Sequence, residues 1–575
     1  MWCVNCDKEV ATDTCPDCNM KTQDDIPVEV YFCPECNVPV IRELNSKVKE
    51  VCPLCKGKTK YLSKDLRPVF PQERLLFELM KYKPGDLIND SVWCNNAMYY
   101  INGKSKSLSS TDMKKSDPQK LRDLLQKHKI DNSVEIFNQY KSKFIQANKE
   151  RLEKLKTEAY QFINEARKGY TDQQLIVSFS GGKDSTVVSD LVIKALGNPQ
   201  VYHIFGNTTL EFPLTIEYKD RFRKENPMTV MREAKNREKD FYEACHEIGP
   251  PSRVMRWCCT MFKTGPITRT VNSMARRSNV LTFYGIRKSE SASRSKYDRI
   301  YDSPKIMKQK VASPIFNWKD IDIWLYLLGE DVDFNDAYRL GFDRVGCWCC
   351  PNNSERSHFL AKLYMPDESK KWRDFLIGFA KAIGKPDAEE YVDSGNWKAR
   401  QGGYGVAAAK DVKINNSACT ADENAQIYEL FRPLEEEQFY NLFVPFGRVS
   451  KGLGRKLLKE VLILDKNNVP IISIQPYKNN TSDNLVKIQT MNVKNHEELQ
   501  RKISYQLRKY NACRKCLGCE SVCKFRAITV NELGYKIDEN KCVKCGMCIT
   551  DKYLRGGCLM SKYLFSANEG EKNEV

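Results

Sequence analysis

Three absences narrow the class of protein before any motif is considered. The 575-residue sequence has no run of about 18 apolar residues, so we expect no membrane-spanning helix. Its first residues, MWCVNCDKEV, lack the basic and then apolar pattern of a secretion signal, and we expect a cytoplasmic protein. The Walker pattern G-x₄-G-K-[ST] is also absent, which argues against a P-loop nucleotide-binding protein.

Cysteine, by contrast, is abundant, with 24 residues. Without a secretion signal, this number favours metal binding over disulfide bonds. The cysteines form an N-terminal, a central and a C-terminal group. Cys94, Cys245 and Cys419 lie outside these groups and are interpreted as ordinary core or surface thiols.

The N-terminal cysteines have the spacing of zinc ribbons. Each C-x₂-C turn directs two sulfurs at one tetrahedral ion, and two Zn²⁺ ions would fold a segment too small to be stabilised by burial alone. A rubredoxin-like iron site is the alternative, and the spacing leaves open which pair joins which. The eight candidate ligands are Cys3, Cys6, Cys15, Cys18, Cys33, Cys36, Cys52 and Cys55.

The chain carries a net charge of +18. Such a charge favours anionic partners, which include nucleotides, sulfate esters, nucleic acid and an acidic redox protein. A solvated basic surface is the alternative, and charge alone does not choose among these.

A glycine-rich turn begins a βα segment at about residue 172. Short apolar strands that alternate with helices predict a parallel sheet covered on both faces. In FSGGKDST, Gly181 and Gly182 let the backbone approach a phosphate, and the following helix N-terminus offers N–H groups to it. Lys183 adds a positive charge and Asp184 is a candidate Mg²⁺ ligand, and we expect both in a solvent-reaching turn.

This loop resembles that of the N-type ATP pyrophosphatases and, within them, the phosphoadenosine phosphosulfate (PAPS) reductase family. The resemblance extends from about residue 172 to 352 through six motifs in order. They are SGGKDS at 180–185, NTTLEFP at 207–213, CCTMFKTGPI at 258–267, GIRKSESASR at 285–294, SPIFNWKDIDIWLYL at 313–327 and RVGCWCCP at 344–351. The implied fold is α/β, with the doubly wound, mainly parallel sheet of the adenine nucleotide alpha-hydrolase-like proteins.

The resemblance also implies a nucleotide site for ATP or an adenylylsulfate-type nucleotide. Lys183, Asp184 and Arg287 are the expected catalytic residues. The resemblance implies that Arg287 and Arg294 face the anionic end of the nucleotide, and arginine forks suit sulfate and phosphate oxygens. A solvated surface loop is the alternative. The full set of expected nucleotide-binding residues is Ser180, Gly181, Gly182, Lys183, Asp184, Ser185, Arg287 and Arg294.

In the adenylylsulfate-reducing branch of the family, a Cys-Cys pair and a later C-x₂-C hold one [4Fe–4S] cluster. The resemblance therefore implies a central cluster on Cys258, Cys259, Cys347 and Cys350, with Cys349 as a substitute for either of the last two. A zinc ion or reactive thiols are the alternatives. The Glu-Cys-Gly motif of the thioredoxin-dependent reductases does not follow in this sequence, which argues against their mechanism.

The C-terminal cysteines resemble a bacterial two-cluster ferredoxin, with zinc knuckles as the alternative. The run C-x₂-C-x₂-C-x₃-C is followed by CVKCGMC, while Lys524 and Leu559 replace the usual prolines. Crossed ligation is expected, with Cys513, Cys516 and Cys519 joined by Cys558, and Cys542, Cys545 and Cys548 joined by Cys523. Two [4Fe–4S] clusters here would deliver electrons to the central site.

The predicted organisation has six segments: zinc ribbons at 1–60, a mixed accessory segment with a helical linker at 61–168, a PAPS reductase-like domain at 169–400, an α+β domain at 401–505, a ferredoxin-type domain at 506–565 and a tail at 566–575. The expected function is sulfur redox or sulfur-transfer chemistry on an adenylylated or sulfated nucleotide. An ATP-dependent thiolation enzyme that acts on nucleic acid is the alternative, and a non-catalytic iron–sulfur sensor is a third interpretation.

Overall fold

The computed structural model describes most of the chain. The residues outside the description are 1, 4–5, 7, 13, 21, 23–25, 47, 49, 129–130, 275–278, 292–293, 307, 404, 478–483, 532–533, 551–553, 555 and 566–575, so the expected tail lies outside it. Among the described residues, no helix has the length and apolar character needed to cross a membrane.

A six-stranded sheet forms the centre of the nucleotide-binding region. Its spatial order is β3-β2-β1-β4-β6-β5, and every neighbouring pair is parallel except β5 with β6 at one edge. The prediction of a mainly parallel sheet is therefore confirmed. In chain order the strands are β1 Leu175–Phe179, β2 Tyr202–Asn207, β3 Val230–Lys235, β4 Val280–Phe283, β5 Ile300–Asp302 and β6 Gln309–Ala312.

Both faces of this sheet are covered, because successive side chains of a strand point to opposite faces. Leu175 and Val177 of β1 pack into one hydrophobic core, whereas Ile176 between them packs with Ile267 and Val271 into another. The first core also contains residues of helices Lys149–Ala166, Lys183–Leu196 and Asp320–Gly329, and the second contains residues of helix Gly265–Met274. The sheet is therefore doubly wound.

Further helices surround the sheet and continue beyond its last strand. They are Pro213–Glu225, Phe241–Ile248, Trp257–Cys259, Glu355–Tyr364, Pro366–Ala382 and Ala388–Asp393.

The N-terminal third is built from small antiparallel sheets. Strands Met98–Ile101 and Lys104–Ser107 form the hairpin expected at Asn102-Gly103, whose φ values of +47° and +79° fit a type I′ turn. The other strands are Trp2–Cys3, Lys8–Glu9, Val28–Cys33, Val38–Glu43, Lys60–Ser63, Arg67–Pro68 and Val92–Asn95, and the helices are Pro71–Lys81, Ser110–Lys115, Pro118–Lys127 and Asp131–Ala147.

The C-terminal third contains a second six-stranded sheet, which is antiparallel throughout. In spatial order its strands are Asn416–Ala418, Ala425–Glu429, Leu485–Thr490, Pro470–Tyr477, Val461–Leu464 and Arg448–Ser450, with helix Glu436–Asn441 between two of them in the chain. Helix His496–Ala512 then leads into the cysteine-rich module, whose elements are Gly518–Val522, Ile528–Asn531, Gly534–Ile537, Met547–Thr550 and Leu559–Leu564.

Candidate active site and cysteine groups

The glycine-rich loop joins the end of β1 to helix Lys183–Leu196. The Ser185 hydroxyl accepts a hydrogen bond from the Ser180 N–H (3.1 Å) and donates one to the Gly182 carbonyl (2.8 Å), which closes the turn. Gly181 has φ +69°, and a Cβ there would lie 2.8 Å from the Thr215 methyl group. The turn therefore requires glycine at position 181 both for its backbone conformation and for space.

The side chains of Lys183 and Arg287 meet two carboxylates at this loop. The Lys183 Nζ lies 3.2 Å from the Asp320 Oδ1, and an Arg287 nitrogen lies 2.8 Å from the same oxygen. Arg287 also donates to Asp184 through its Nε. The four side chains form one ion-pair cluster, in which Asp320 is a residue that the sequence analysis did not select.

Burial of this cluster corrects the expectation of a solvent-reaching turn. Lys183 and Arg287 are only 3% and 5% exposed. The Lys183 N–H donates to the Tyr338 hydroxyl (2.9 Å), and its Nζ donates to the Asp343 carbonyl (3.1 Å). Burial alone would raise the pKa of Asp184, but the Arg287 and Lys183 charges lower it to about 2. This carboxylate is therefore ionised at neutral pH.

Two further residues missed by the sequence analysis fix this geometry. A Cβ at Gly285 would lie 2.8 Å from the Asp184 carbonyl carbon, so the start of the arginine-rich loop lies directly against the glycine-rich loop. Asp65 accepts hydrogen bonds from the N–H groups of Asp320 and Ile321, both at 3.0 Å. Burial and the Asp320 charge raise the pKa of Asp65 to about 6.

Arg294 lies in the same basic region. It forms an ion pair with Glu290, which also lies 3.7 Å from Arg344. Burial and the neighbouring Arg344 lower the pKa of Arg294, and Asp184 and Arg287 are among its other charged neighbours. The structure thus brings the two expected arginines, 287 and 294, to one site.

The central cysteines also come together, although Cys258 and Cys347 are 89 positions apart in the sequence. Cys258 and Cys259 end a short helix that continues into a π-helical segment, Thr260–Thr264, a distortion that is frequent at functional sites. Cys259 interacts electrostatically with both Cys347 and Cys350. The hydrogen bond to Cys258 and the Arg256 charge lower the pKa of Cys259 to about 5, although burial acts in the opposite direction.

Cys347 is positioned by the segment after β2. The Cys347 Sγ lies 3.4 Å from the Thr208 hydroxyl, and the Trp348 N–H donates to the Leu210 carbonyl (2.9 Å). Cys349 is buried, with Cys245 among its thiol neighbours as well as Cys347 and Cys350. Cys258 has both Cys347 and Cys349 as neighbours, so all five central cysteines lie in one region, and the C-x₂-C spacing remains the reason to select Cys347 and Cys350 as the ligand pair.

The N-terminal cysteines form two compact groups. In the part of the chain that the structure describes, only these groups bring three or more ligand atoms within 4.8 Å of one another. Neighbouring sulfurs lie 3.5 and 3.8 Å apart in each group, close to the tetrahedral edge of about 3.8 Å that a Zn–S bond of about 2.3 Å requires. The groups are Cys3, Cys6, Cys15 and Cys18, and Cys33, Cys36, Cys52 and Cys55. Both can therefore hold a metal ion.

The C-terminal cysteines are arranged in a crossed pattern. Cys558 has Cys513, Cys516 and Cys519 as electrostatic neighbours. Cys523 interacts with Cys542 and Cys548, and Cys542 interacts with Cys545. All eight cysteines expected to act as ligands here thus lie in two overlapping groups.

This module packs against the helix that follows the central cysteine pair. Arg269 forms a bidentate ion pair with Glu520, with both N–O distances at 2.8 Å, and Thr268 donates to Ser521 (3.2 Å). Burial and the charges of Cys259, Cys516 and Cys258 raise the pKa of Tyr563 to about 12. Tyr563 therefore lies close to both the central and the C-terminal cysteines.

Comparison with known proteins defines the class of this site. Residues 174–353 match the family model of the phosphoadenosine phosphosulfate reductase domain, which contains the glycine-rich loop, Arg287 and all five central cysteines. The chain thus contains a PAPS reductase domain, and it is similar to enzymes named as adenosine 5'-phosphosulfate reductases. It belongs to one family with the uncharacterized protein MJ0973 of Methanocaldococcus jannaschii, which is 30% identical over 52% of this chain and 70% of that protein.

Other relatives match over shorter parts of the chain. MJ0066 of the same organism is 34% identical, but the match covers 39% of this chain and only 45% of that protein. The adenosine 5'-phosphosulfate reductase of Neisseria meningitidis serogroup A is 29% identical over 29% of this chain and 67% of that enzyme. A solved PAPS reductase of Candida auris is similar with 17% identity and a TM-score of 0.28, over 35% of this chain and 96% of that one.

Proposed function

We propose that this protein is an iron–sulfur enzyme that performs sulfur redox or sulfur-transfer chemistry on an adenylylated or sulfated nucleotide. Electrons would come from its own C-terminal cysteine-rich module, which we propose to be a ferredoxin-type domain. The named relatives are adenosine 5'-phosphosulfate and phosphoadenosine 5'-phosphosulfate reductases, which supports this class of substrate.

The proposal rests on the location of the glycine-rich loop and the central cysteines at the same edge of the parallel sheet. The glycine-rich loop follows β1 and Thr208 follows β2, so both lie at the carboxyl edge of the parallel sheet. Thr208 contacts Cys347. Open α/β sheets bind their ligands at this edge, so a nucleotide there would have its reactive group near the central cysteines.

We assign nucleotide binding to Ser180 through Ser185 together with Arg287 and Arg294. Lys183 and Arg287 would hold the anionic groups, with Asp184 and Asp320 fixing the two cations in place. Charge-assisted contacts of this kind are stronger than neutral ones, and burial strengthens them further. Asp184 remains ionised, which suits it to bind Mg²⁺ with a nucleotide phosphate.

The donor set of the central site fits an iron–sulfur cluster. Cys258, Cys259, Cys347 and Cys350 would hold it, since four thiolates are what a [4Fe–4S] cubane requires. Such a cluster would exchange electrons beside the substrate sulfur. Arg256, which lies 3.5 Å from the Cys259 sulfur, would stabilise thiolate charge and attract an anionic sulfur group.

The crossed arrangement of the C-terminal cysteines supports two further [4Fe–4S] clusters. Cys516 and Tyr563 would form the side of this module that faces the central site, because Tyr563 has Cys258, Cys259 and Cys516 as neighbours. The N-terminal groups are proposed to hold two Zn²⁺ ions with a structural role, on the basis of their tetrahedral sulfur spacing.

Anaerobic turnover of the reconstituted full-length protein tests the proposal. ATP, adenylylsulfate and PAPS are supplied in parallel with a reductant, and sulfite and pyrophosphate are measured. Sulfite from a sulfonucleotide supports reduction, whereas pyrophosphate from ATP without sulfite would move the assignment to adenylylation followed by thiolation. Lys183→Ala should abolish turnover, while Lys168→Ala, on an exposed side chain, serves as the matched control.

A further inference from the structure

A cleft of about 370 Å³ lies behind the loop that carries the central cysteines. Trp348 and Cys349 form part of its wall, and its other lining residues belong to segments before residue 174 or after residue 353. Those segments include parts of helices Ser110–Lys115, Glu355–Tyr364 and Pro366–Ala382. The cleft is therefore built mainly by parts of the chain outside the PAPS reductase domain.

The wall of the cleft is rich in aromatic side chains. Trp348, Phe359, Trp372 and Trp397 line it, and each is less than a tenth exposed. The rings of Trp372 and Trp397 are 5.8 Å apart and nearly perpendicular. One face of Trp372 is already stacked on Phe375, with ring centroids 5.3 Å apart, and contacts between such a wall and a bound heteroaromatic ring are worth about 0.5–1.5 kcal/mol each.

Two polar atoms in this wall have no hydrogen-bond partner among the described residues. They are the Nε1 of Trp372, a residue that is 5% exposed, and the Nε2 of His358. Burial and the neighbouring Lys398 and Lys362 lower the pKa of His358 to about 4, so the ring is neutral at pH 7. Both atoms are enclosed by protein, so a ligand in the cleft would reach them only after a local shift of side chains.

The charge of the lining favours an anion. Arg373 is paired with Asp393 through two short hydrogen bonds of 2.8 and 2.6 Å, so these two charges cancel. Three lysines and one glutamate remain, which leaves a net charge of +2 from Lys114, Lys362, Lys398 and Glu355.

We propose that this cleft binds an aromatic anion of the size of a mononucleotide, as a second ligand distinct from the one at the glycine-rich loop. The volume lies at the lower end of the range for ligand sites, about 300–1,000 Å³, which suits one base with one phosphate. The aromatic wall would hold the ring, and Lys362 and Lys398 would hold the anionic group. Because Trp348 and Cys349 separate the cleft from Cys347 and Cys350, an occupant would directly contact the cysteine loop.

Calorimetric titration of the full-length protein under anaerobic conditions tests this proposal, with 5′-AMP and 5′-UMP as probes. At least one probe should give two binding events per chain, one at the glycine-rich loop and one in the cleft. Adenosine alone and inorganic phosphate alone should each reproduce the cleft event poorly. Lys398→Ala should weaken that event about tenfold or more, the loss expected for a charge-assisted contact, and Trp372→Leu should weaken it by removing an aromatic contact. Trp372→Phe should weaken it less than Trp372→Leu, because an aromatic ring is kept, although it is smaller than the indole and lacks the N–H.

Two controls separate this site from the glycine-rich loop. Lys370→Ala lies on the same helix as Trp372 but outside the lining, and should leave both events unchanged. Gly181→Val should remove only the event at the loop.

If both cleft variants retain every binding event of the wild type, or if Gly181→Val abolishes all binding, the cleft proposal is overturned. If the loop variant loses nothing while the cleft variants lose an event, the cleft proposal stands and the proposed function fails. Lys398→Ala changes a partly exposed side chain, so the test does not depend on the folding of the Trp372 variants.

Discussion

Gly265 and Leu517 lie so close together that a Cβ at position 265 would be 2.5 Å from the Leu517 Cβ. Gly265 begins the helix that follows the central cysteine pair, and Leu517 precedes a helix of the C-terminal module. Leu517 itself has φ +62°, a left-handed backbone conformation that residues other than glycine rarely adopt. The two cysteine-bearing parts of the chain are thus joined by a contact that tolerates no added atom.

The first prediction follows from this contact. Gly265→Ala should lower the free energy of unfolding by roughly 1–3 kcal/mol, because the added methyl group overpacks a rigid interface. The matched control is Gly378→Ala, also within a helix, where a Cβ would meet nothing within 4 Å. That change should raise the stability by roughly 0.5–1 kcal/mol, since alanine is the better helix former. Denaturant unfolding of both variants measures the difference, and equal effects would contradict the packing described here.

The second prediction concerns the ligands of the central site. Cys350→Ala should remove about a third of the roughly twelve irons expected from three cubanes, since its sulfur is assigned to the central one. Cys349→Ala should have a smaller effect on the iron content, because Cys349 lies between the two cysteines that have the C-x₂-C spacing. Iron analysis of the anaerobically purified variants makes the comparison. An essential Cys349 beside a dispensable Cys350 would reverse the assignment.

A third prediction concerns the N-terminal metal sites, which should be independent of each other. Cys18→Ser and Cys55→Ser should each remove about one zinc per chain, and the double variant both, since each residue belongs to a different group of four. Inductively coupled plasma mass spectrometry of the purified proteins gives the metal content. Loss of both zinc ions from a single substitution, or iron in their place, would show that the two groups are not separate zinc sites.

The fourth prediction tests the buried ion-pair cluster. Asp320→Asn should lower the free energy of unfolding by roughly 3 kcal/mol, because it leaves Asp184 as the one ion-pair partner of Lys183 and Arg287 among the described carboxylates. Asp331→Asn, on a carboxylate that is 94% exposed, is the control and should change stability by less than about 1 kcal/mol. Thermal unfolding with and without 5′-AMP gives a second readout. The nucleotide should stabilise the Asp320 variant less than the wild type, because Asp320 holds the two binding cations in place, and an equal shift in both would argue against these cations as its binding groups.

The fifth prediction is a dependence of stability on pH. His203 is fully buried, and its ring nitrogens are hydrogen-bonded to the Ser189 hydroxyl (2.7 Å) and the Val201 carbonyl (3.0 Å). Burial lowers the pKa of this histidine from 6.5 to about 4. Below pH 6.5 the unfolded chain therefore binds a proton that the folded chain does not.

The contribution of His203 to stability is fully present above pH 6.5 and is lost as the pH falls towards 4. The loss is about 1.4 kcal/mol for each pH unit within that window. His203→Gln should therefore show a flatter decline in stability than the wild type between pH 6.5 and 5. Urea unfolding at several pH values gives the free energy of unfolding of both proteins. Subtracting one profile from the other removes the contribution of every other titrating group. Parallel profiles would show that His203 titrates normally in the folded state.

Features that depend on a few neighbouring residues could be predicted from the sequence. The Asn102-Gly103 hairpin, the turn at Gly181 and the mainly parallel sheet all follow from short-range conformational preferences and from the spacing of apolar residues. The C-x₂-C turns likewise brought cysteines together in pairs, because the sulfurs of such a turn converge over a single loop of backbone. Local geometry alone accounts for these successes.

Only the tertiary structure decided which distant groups meet. It joined Cys3 and Cys6 to the next pair along the chain, and it buried Cys349 with Cys245, Cys347 and Cys350 as neighbours. It also paired Lys183 with Asp320, a partner 137 positions away, and buried Lys183, which the sequence analysis placed in a solvent-reaching turn. Contacts over such separations depend on how helices pack onto a twisted sheet, and the spacing of residues along a chain does not encode that packing.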